Sequence, residues 1–403
     1  MLPHPSALHH IARDVSADIA EAITHARPCS DQSGLMVGWP GPALLCRALG
    51  RPFPVRAGPT SGAAARAPIL SLCDGEVGEA WTALQLGLAG AAERVAVLDE
   101  YCVRLLRYQM THPDPRRFPA CDLLYGAVGM GLTALERGPR GRSTVEAATL
   151  ALSTEAVPFR AGRAWWTAPE CLPPRSRAMY PQGYLDLGAA HGLPAAIAFL
   201  GRAVRFEVAS AAVLLDDAVA ALRSAELPSG SGSRFPGLVV PDQDPAPGFM
   251  SWCRGDPGVA LALLTAGLAA CRPALVDYAV ALAAEAARRG PELAPRPDAC
   301  LCHGGAGLAW IFSTFHRATG EARFARAAED WVRWTLAWRG TRGADVAGFP
   351  FRSRLGGALD EWTPEAGLLN GASGVGLCLL AATSPTSPAW EVLFGGPGPE
   401  LLP

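Results

Sequence analysis

The stretch Trp252-Cys253-Arg254-Gly255-Asp256-Pro257-Gly258-Val259-Ala260-Leu261-Ala262-Leu263-Leu264 joins a thiol, a Gly-x-x-Gly pair and the start of an apolar run that continues to Ala270. The run is rich in Ala and Leu and too long for an ordinary strand, so it reads as a buried helix. The same arrangement recurs at Gly38-Trp-Pro-Gly41, Gly75-Glu-Val-Gly78, Gly126-Ala-Val-Gly129, Gly304-Gly-Ala-Gly307 and Gly371-Ala-Ser-Gly374, and at Gly192-Leu-Pro-Ala195 with alanine as its second small residue. Leu308 to Phe315 and Val375 to Ala382 are further runs of the same kind. Seven copies in one phase mean repeated supersecondary units, none of which can bury its apolar face alone. Seven helical hairpins closing on themselves predict an all-α fold, an α/α toroid. The glycines are expected to supply unusual φ values at a tight turn and to let one helix start close against its neighbour.

Composition narrows the function. A chain of 403 residues suggests two or more domains by length, but a toroid grows by adding hairpins to one ring, so a single domain over 1–403 is expected. The longest apolar run, Val259 to Ala270, stops at Cys271-Arg272-Pro273, well short of the ~20 residues that span a bilayer. No integral membrane segment is expected, and Met1 to Ala20 lacks the basic start and apolar block of a secretory signal. Eleven cysteines, an odd and scattered set, do not read as a disulfide framework and point to the cytoplasm, with most of them small apolar fillers. A net charge of −2 gives no electrostatic case for nucleic acid. The chain contains no lysine, which excludes Schiff-base chemistry and a Walker-type phosphate loop.

Irregular stretches separate the repeats. Arg51 to Pro68, Phe159 to Gln182 with Trp165-Trp166, and Ser224 to Pro247 are rich in Pro, Gly, Ser or Arg and read as surface connections. The tryptophan pair reads as an aromatic cap on the core, and in the tail from Pro385 to Pro403 Trp390 and Phe394 are placed to dock back.

Chemistry enters through phase. Counted from the first glycine of their repeats, Cys253 and Cys302 both stand two before, while His191, Arg254 and His303 stand one before. Equivalent positions lie on one rim, where helix N-termini favour thiolate over thiol. Two thiols and an imidazole, Cys253, Cys302 and His303, read as the ligands of a zinc ion with one position left open, as in a catalytic site. Cys300 is a weaker rival ligand, offset four before Gly304.

Leu185-Asp-Leu-Gly-Ala-Ala-His191-Gly, Trp252-Cys253-x-Gly255 and Leu301-Cys302-His303-Gly304 resemble the motifs of the lanthionine synthetase C-like cyclases, and the glycine repeats extend that resemblance from Gly38 to Gly376. It implies an α/α toroid that holds zinc through Cys253, Cys302 and His303 and closes thioether rings in a dehydrated precursor peptide. It further implies that His191 exchanges a proton with the reacting groups and that Asp122 belongs to the site, although a helix-capping aspartate would look the same in sequence. Two positions depart from the usual pattern: Arg254 stands where bacterial cyclases carry tyrosine, and Phe249 where they carry arginine. Arg254 joins His191 and Asp122 as a candidate catalytic residue because it restores the positive charge from a neighbouring place. It cannot act as a general acid.

Two thiolates and a neutral imidazole give a zinc site of formal charge zero, at which a peptide thiol ionises near neutral pH. Attack of that sulfur on dehydroalanine or dehydrobutyrine leaves an enolate that needs a proton, for which His191 is the expected donor. Dehydration would fall to a separate dehydratase, since no second catalytic domain is visible. Two other functions use the same residues: addition of glutathione or another free thiol to dehydroamino acids, and non-catalytic zinc-dependent peptide binding. Asp216-Asp217 lacks the further aspartate of an isoprenoid-binding motif.

Overall fold

A computed structural model of the chain describes residues 5–26, 34–53, 68–291, 298–340, 346–353 and 361–402. Among them run fourteen α-helices: α1 (Pro5–Ala26), α2 (Pro40–Ala48), α3 (Glu76–Gln85), α4 (Ala91–Thr111), α5 (Ala127–Leu135), α6 (Arg142–Glu155), α7 (Pro174–Met179), α8 (Leu193–Arg205), α9 (Ala211–Ser224), α10 (Asp256–Ala269), α11 (Pro273–Ala287), α12 (Gly305–Thr319), α13 (Ala322–Trp338) and α14 (Ala372–Ala382). Seven of them, α2, α3, α5, α8, α10, α12 and α14, follow the seven glycine motifs in turn. The fold is all-α, as the repeats imply.

Of the helices that follow glycine motifs, α5, α10 and α14 are buried almost all round, because their sequences are apolar all round. Every residue of α10 except Leu268 is buried, whereas α11 after it buries one stripe around Ala279, Leu282, Ala283 and Ala286. Each fully buried leucine, such as Leu263 or Leu264, contributes roughly 2 kcal/mol of transfer free energy.

The chain falls into two compact units. One is built from Met1–Leu98, Arg296–Ser313 and Ala328–Pro385, the other from Asp99–Pro295, Thr314–Ala327 and Thr386–Pro403. In the first, α1 packs on α14 and α2, and α2 on α3. Gly376 lies against Leu45 and Ile19, and its carbonyl accepts the Ser16 hydroxyl. In the second, α8 is central, touching α5, α9 and α10, and α11 covers α10.

The glycines act by space rather than by φ. Gly75, Gly126, Gly192, Gly255 and Gly371 cap their helices with φ between −98° and −159°, an extended conformation open to any residue. At most of the motif glycines what excludes a side chain is the carbonyl of the residue six positions earlier; at Gly126 the nearest is that of Pro119, seven back, and at Gly41 it is the backbone of Leu368. A Cβ on Gly192 would lie 1.9 Å from the Asp186 oxygen, one on Gly258 would lie 1.9 Å from that of Trp252, and one on Gly307 would lie 2.0 Å from that of Leu301. At Gly192, Gly258 and Gly307 the close neighbour is thus the helix's own preceding loop.

Seven short strands complete the described fold: β1 (Val157–Phe159), β2 (Gly162–Ala164), β3 (Trp166–Thr167), β4 (Tyr184–Asp186), β5 (Leu238–Val239), β6 (Phe351–Ser353) and β7 (Glu361–Thr363). They pair antiparallel as β1 with β2, as a β3–β4–β5 sheet, and as β6 with β7. The stretches from Phe159 to Gln182 and from Ser224 to Pro247 are therefore partly ordered as strands. Trp165 is buried, its indole donating to the Leu152 carbonyl, while Trp166 is partly exposed. Most of Arg51 to Pro68 lies outside the described residues. The tail does dock back: Trp390 and Phe394 are buried, and the indole of Trp252 donates to the Phe394 carbonyl at 2.9 Å. No described helix is long and apolar enough to cross a membrane.

Candidate acid–base and metal-binding centre

Backbone hydrogen bonds join the loops ahead of successive repeats at one phase. In one unit Cys302 N–H donates to the Leu369 carbonyl, Leu369 to Met36, and Met36 to Cys73, at 3.0–3.2 Å. These four residues each stand two before the first glycine of a motif. In the other unit Ala190 N–H donates to Cys253 at 3.4 Å, again between residues of that phase, and Leu123 donates to Ala190 at 3.2 Å. Within each unit, equivalent positions of neighbouring repeats are thus side by side.

His191 occupies the loop between β4 and α8. Antiparallel pairing of Leu185 with Trp166 and Val239 fixes β4, and Gly192 caps α8, so the imidazole is held from both ends. Its Nδ1 lies 2.8 Å from Asp122 Oδ2. Asp122 is wholly buried, and its Oδ1 accepts the N–H groups of Leu124 and Tyr125 at 2.8 and 2.9 Å. It therefore braces its loop and the imidazole and is not the cap of α5, which is Gly126. The side chain of His191 remains 32% exposed, beside the rings of Tyr125 and Phe118. Burial pulls its pKa down, but the Asp122 carboxylate outweighs this and raises it above the usual histidine range. With Nδ1–H committed to Asp122, the exchangeable proton is the one on Nε2.

Arg254 follows Cys253 and turns to Asp186, the last residue of β4. Its Nε and Nη2 donate to Asp186 Oδ2 at 3.1 and 2.7 Å, and Asp186 Oδ1 accepts Gly188 N–H at 2.7 Å. In sequence Asp186 stands inside a motif with no evident role of its own. The signal was its offset, six before Gly192, which Asp298 repeats six before Gly304. Cys253 itself is half-buried, its Sγ 3.7 Å from Ser251 Oγ.

In the other unit Cys302 and His303 precede α12. Both are half-buried, and His303 Nε2 lies 3.8 Å from buried Asp298 Oδ2. Asp298, Cys300 and His303 place one donor atom each within 4.8 Å of one another, so the rival ligand is near. Cys300 is fully buried, and burial first, then Asp298, pushes its thiol up. A thiol held protonated is a poor metal ligand. Its sulfur also lies 3.5 Å from the His303 N–H, as an acceptor.

The lanthionine synthetase C-like protein family model matches residues 30–394. Curated protein sequences give no match. Among solved structures the chain is similar to nisin cyclase, with a TM-score of 0.69 and 20% identity over 96% of this chain and 97% of that one. At that identity the likeness is one of fold, that of an α/α toroid.

Proposed function

Because the chain belongs to the lanthionine synthetase C-like family, we propose that it is a zinc-dependent cyclase that adds cysteine thiols of a dehydrated precursor peptide to its dehydroalanine or dehydrobutyrine residues. The observation that carries this reading is the hydrogen bond between buried Asp122 and partly exposed His191. It favours the protonated imidazole, a proton donor, in a loop whose backbone is hydrogen-bonded to that of Cys253.

The metal would be held by Cys253, Cys302 and His303. Their chemistry fits: two half-buried thiols and one imidazole are soft and borderline donors suited to zinc. Zinc on these donors would supply a Lewis acid that ionises a peptide thiol near pH 7.

The remaining steps fall to the chain's own side chains. As the carbon–sulfur bond forms at the β-carbon, the α,β double bond opens and charge moves to the adjacent carbonyl. His191 then delivers the proton on Nε2 to the α-carbon, while Asp122 keeps the ring oriented and favours its charged form until that moment. The proton lost by the thiol restores the imidazolium. The reaction is an isomerisation, and peptide mass does not change.

The family match, unbroken from 30 to 394, supports one catalytic domain over 1–403. A separate dehydratase would supply the substrate. The protein's place of action would be the cytoplasm, where an odd and scattered set of eleven cysteines stays reduced.

The test is incubation of the zinc-loaded protein with a dehydrated, cysteine-containing peptide. Thiols should disappear at constant peptide mass, and Cys253→Ala with Cys302→Ala should abolish both turnover and the binding of about one zinc per chain. A product carrying an added glutathione would replace this reading with intermolecular addition. Peptide binding without thiol loss would reduce the protein to a scaffold.

A further inference from the structure

The loop from Asp186 to Gly192 carries two ion pairs of the same design. At its far end a wholly buried Asp122 holds the 32% exposed His191; at its near end Asp186, 1% exposed, holds the 31% exposed Arg254. In both, the acid is inside and the cation faces outward.

The local structure is shaped around the second pair. A Cβ on Gly188 would lie 2.0 Å from the Cys253 carbonyl and 2.7 Å from Arg254 Cγ, so only glycine lets the two loops meet here. The Ala190 N–H to Cys253 carbonyl bond then ties the backbone beside Arg254 to the backbone beside His191. The guanidinium meets Asp186 through Nε and Nη2, which leaves Nη1 outside the pair. Its carbon lies 5.9 Å from the centre of the Tyr184 ring, a further restraint on its plane. A buried carboxylate is costly unless compensated, and this one fixes a cation that stays accessible.

Resting on the cyclase reading, we propose that Arg254 binds the carbonyl oxygen of the dehydroamino acid under attack, and that Asp186 is the residue that positions it. When sulfur adds to the β-carbon, the electron pair of the α,β bond shifts and the carbonyl oxygen gains negative charge. A guanidinium cannot protonate that oxygen at neutral pH, but it donates a charge-assisted hydrogen bond that strengthens as the charge develops. His191 then supplies the proton to the α-carbon. One loop thus orients a permanent cation for the oxygen and a titrating acid for the carbon.

The experiment is steady-state thiol loss with a dehydrated cysteine-containing peptide, with zinc content and circular dichroism followed in parallel. Arg254→Lys keeps the charge opposite Asp186 and loses the planar fork. It should lower kcat by about 10²-fold, the scale of a lost oxyanion donor, with KM changed less than about threefold because the charge arises only at the transition state. Asp186→Asn should lower kcat by about 10-fold through misplacement of the guanidinium. In the neutral pair Asp186→Asn with Arg254→Gln, which leaves no uncompensated buried charge, kcat should fall no further than in Arg254→Lys. A folded, zinc-bearing Arg254→Lys that retains wild-type kcat overturns the proposal while the cyclase reading stands. So does an Asp186→Asn loss that multiplies with the loss at Arg254, because Asp186 would then act on its own. A zinc-loaded wild type that closes no ring overturns both.

Discussion

His191, Arg254 and His303 occupy one phase of the repeat, directly before a motif's first glycine, and each is matched by a buried aspartate: Asp122 at 2.8 Å, Asp186 at 2.7 Å and Asp298 at 3.8 Å. At His191 and Arg254 the identity of the cation decides what the pair can do. An imidazolium gives up its proton near neutral pH, whereas a guanidinium keeps its own. The raised pKa of His191 comes from Asp122 overcoming burial, so the acid form is present below that raised value and is lost as pH rises through it. On the proposed reading, His191→Asn slows cyclisation by about 10²-fold or more with zinc retained. Asp122→Asn should move the alkaline fall of the rate to lower pH, so that the loss is greater at pH 8 than at pH 6. The pH profile of thiol loss checks both, and an unmoved alkaline limb in Asp122→Asn would show that the carboxylate does not tune the ring.

Most of the motif's small residues answer to the loop that precedes their own helix. Ordinary φ at the caps means that alanine would be tolerated by the backbone, yet the carbonyl six positions back occupies the place of its Cβ. Gly258→Ala should therefore cost about 2 kcal/mol or more, in the range of overpacked cores. Ala195 holds the same place in the fourth motif and already carries a Cβ. Ala195→Gly should cost about 1 kcal/mol by helix propensity alone. Urea melts of the two variants separate the causes: no loss, or a gain, in Gly258→Ala would mean that the loop moves aside freely. Gly-x-x-Gly is thus a packing signature, and its φ-based reading fails because the strain is between chain segments rather than within one residue.

At the scale of the molecule, each unit has an apolar core made without a metal: Ile19, Leu45 and Leu377 in one, Phe199, Leu215 and Leu263 in the other, all nearly or wholly inaccessible. Docking of Phe394, itself packed on Trp390, against Trp252 closes the second core with the C-terminal segment. Removal of zinc by a chelator should therefore leave the helical circular dichroism unchanged and lower the melting midpoint by only a few degrees, since a bound ion stabilises by mass action on a fold that exists without it. Loss of helical signal on chelation would place the metal among the determinants of the fold.

By itself the sequence determined the repeat and, with it, the helical class, the helices after Gly75, Gly126, Gly192, Gly255, Gly304 and Gly371, and the phase that puts Cys302 beside Leu369 and Ala190 beside Cys253. Those features are legible because they are periodic: glycine spacing and apolar runs repeat along the chain, and hydrogen bonding between equivalent loops follows from repetition. The partners of the charged groups are not periodic. Whether Asp122 caps a helix or braces an imidazole, and whether Arg254 is a loose surface charge or the mate of Asp186, depended on which loops come within 3 Å of one another. The same holds for Cys300, whose place four before Gly304 read as a weaker ligand and whose burial holds it as a thiol. Burial and close approach are properties of the folded chain. Only the tertiary structure could turn a row of candidate residues into acids held inside and cations held out.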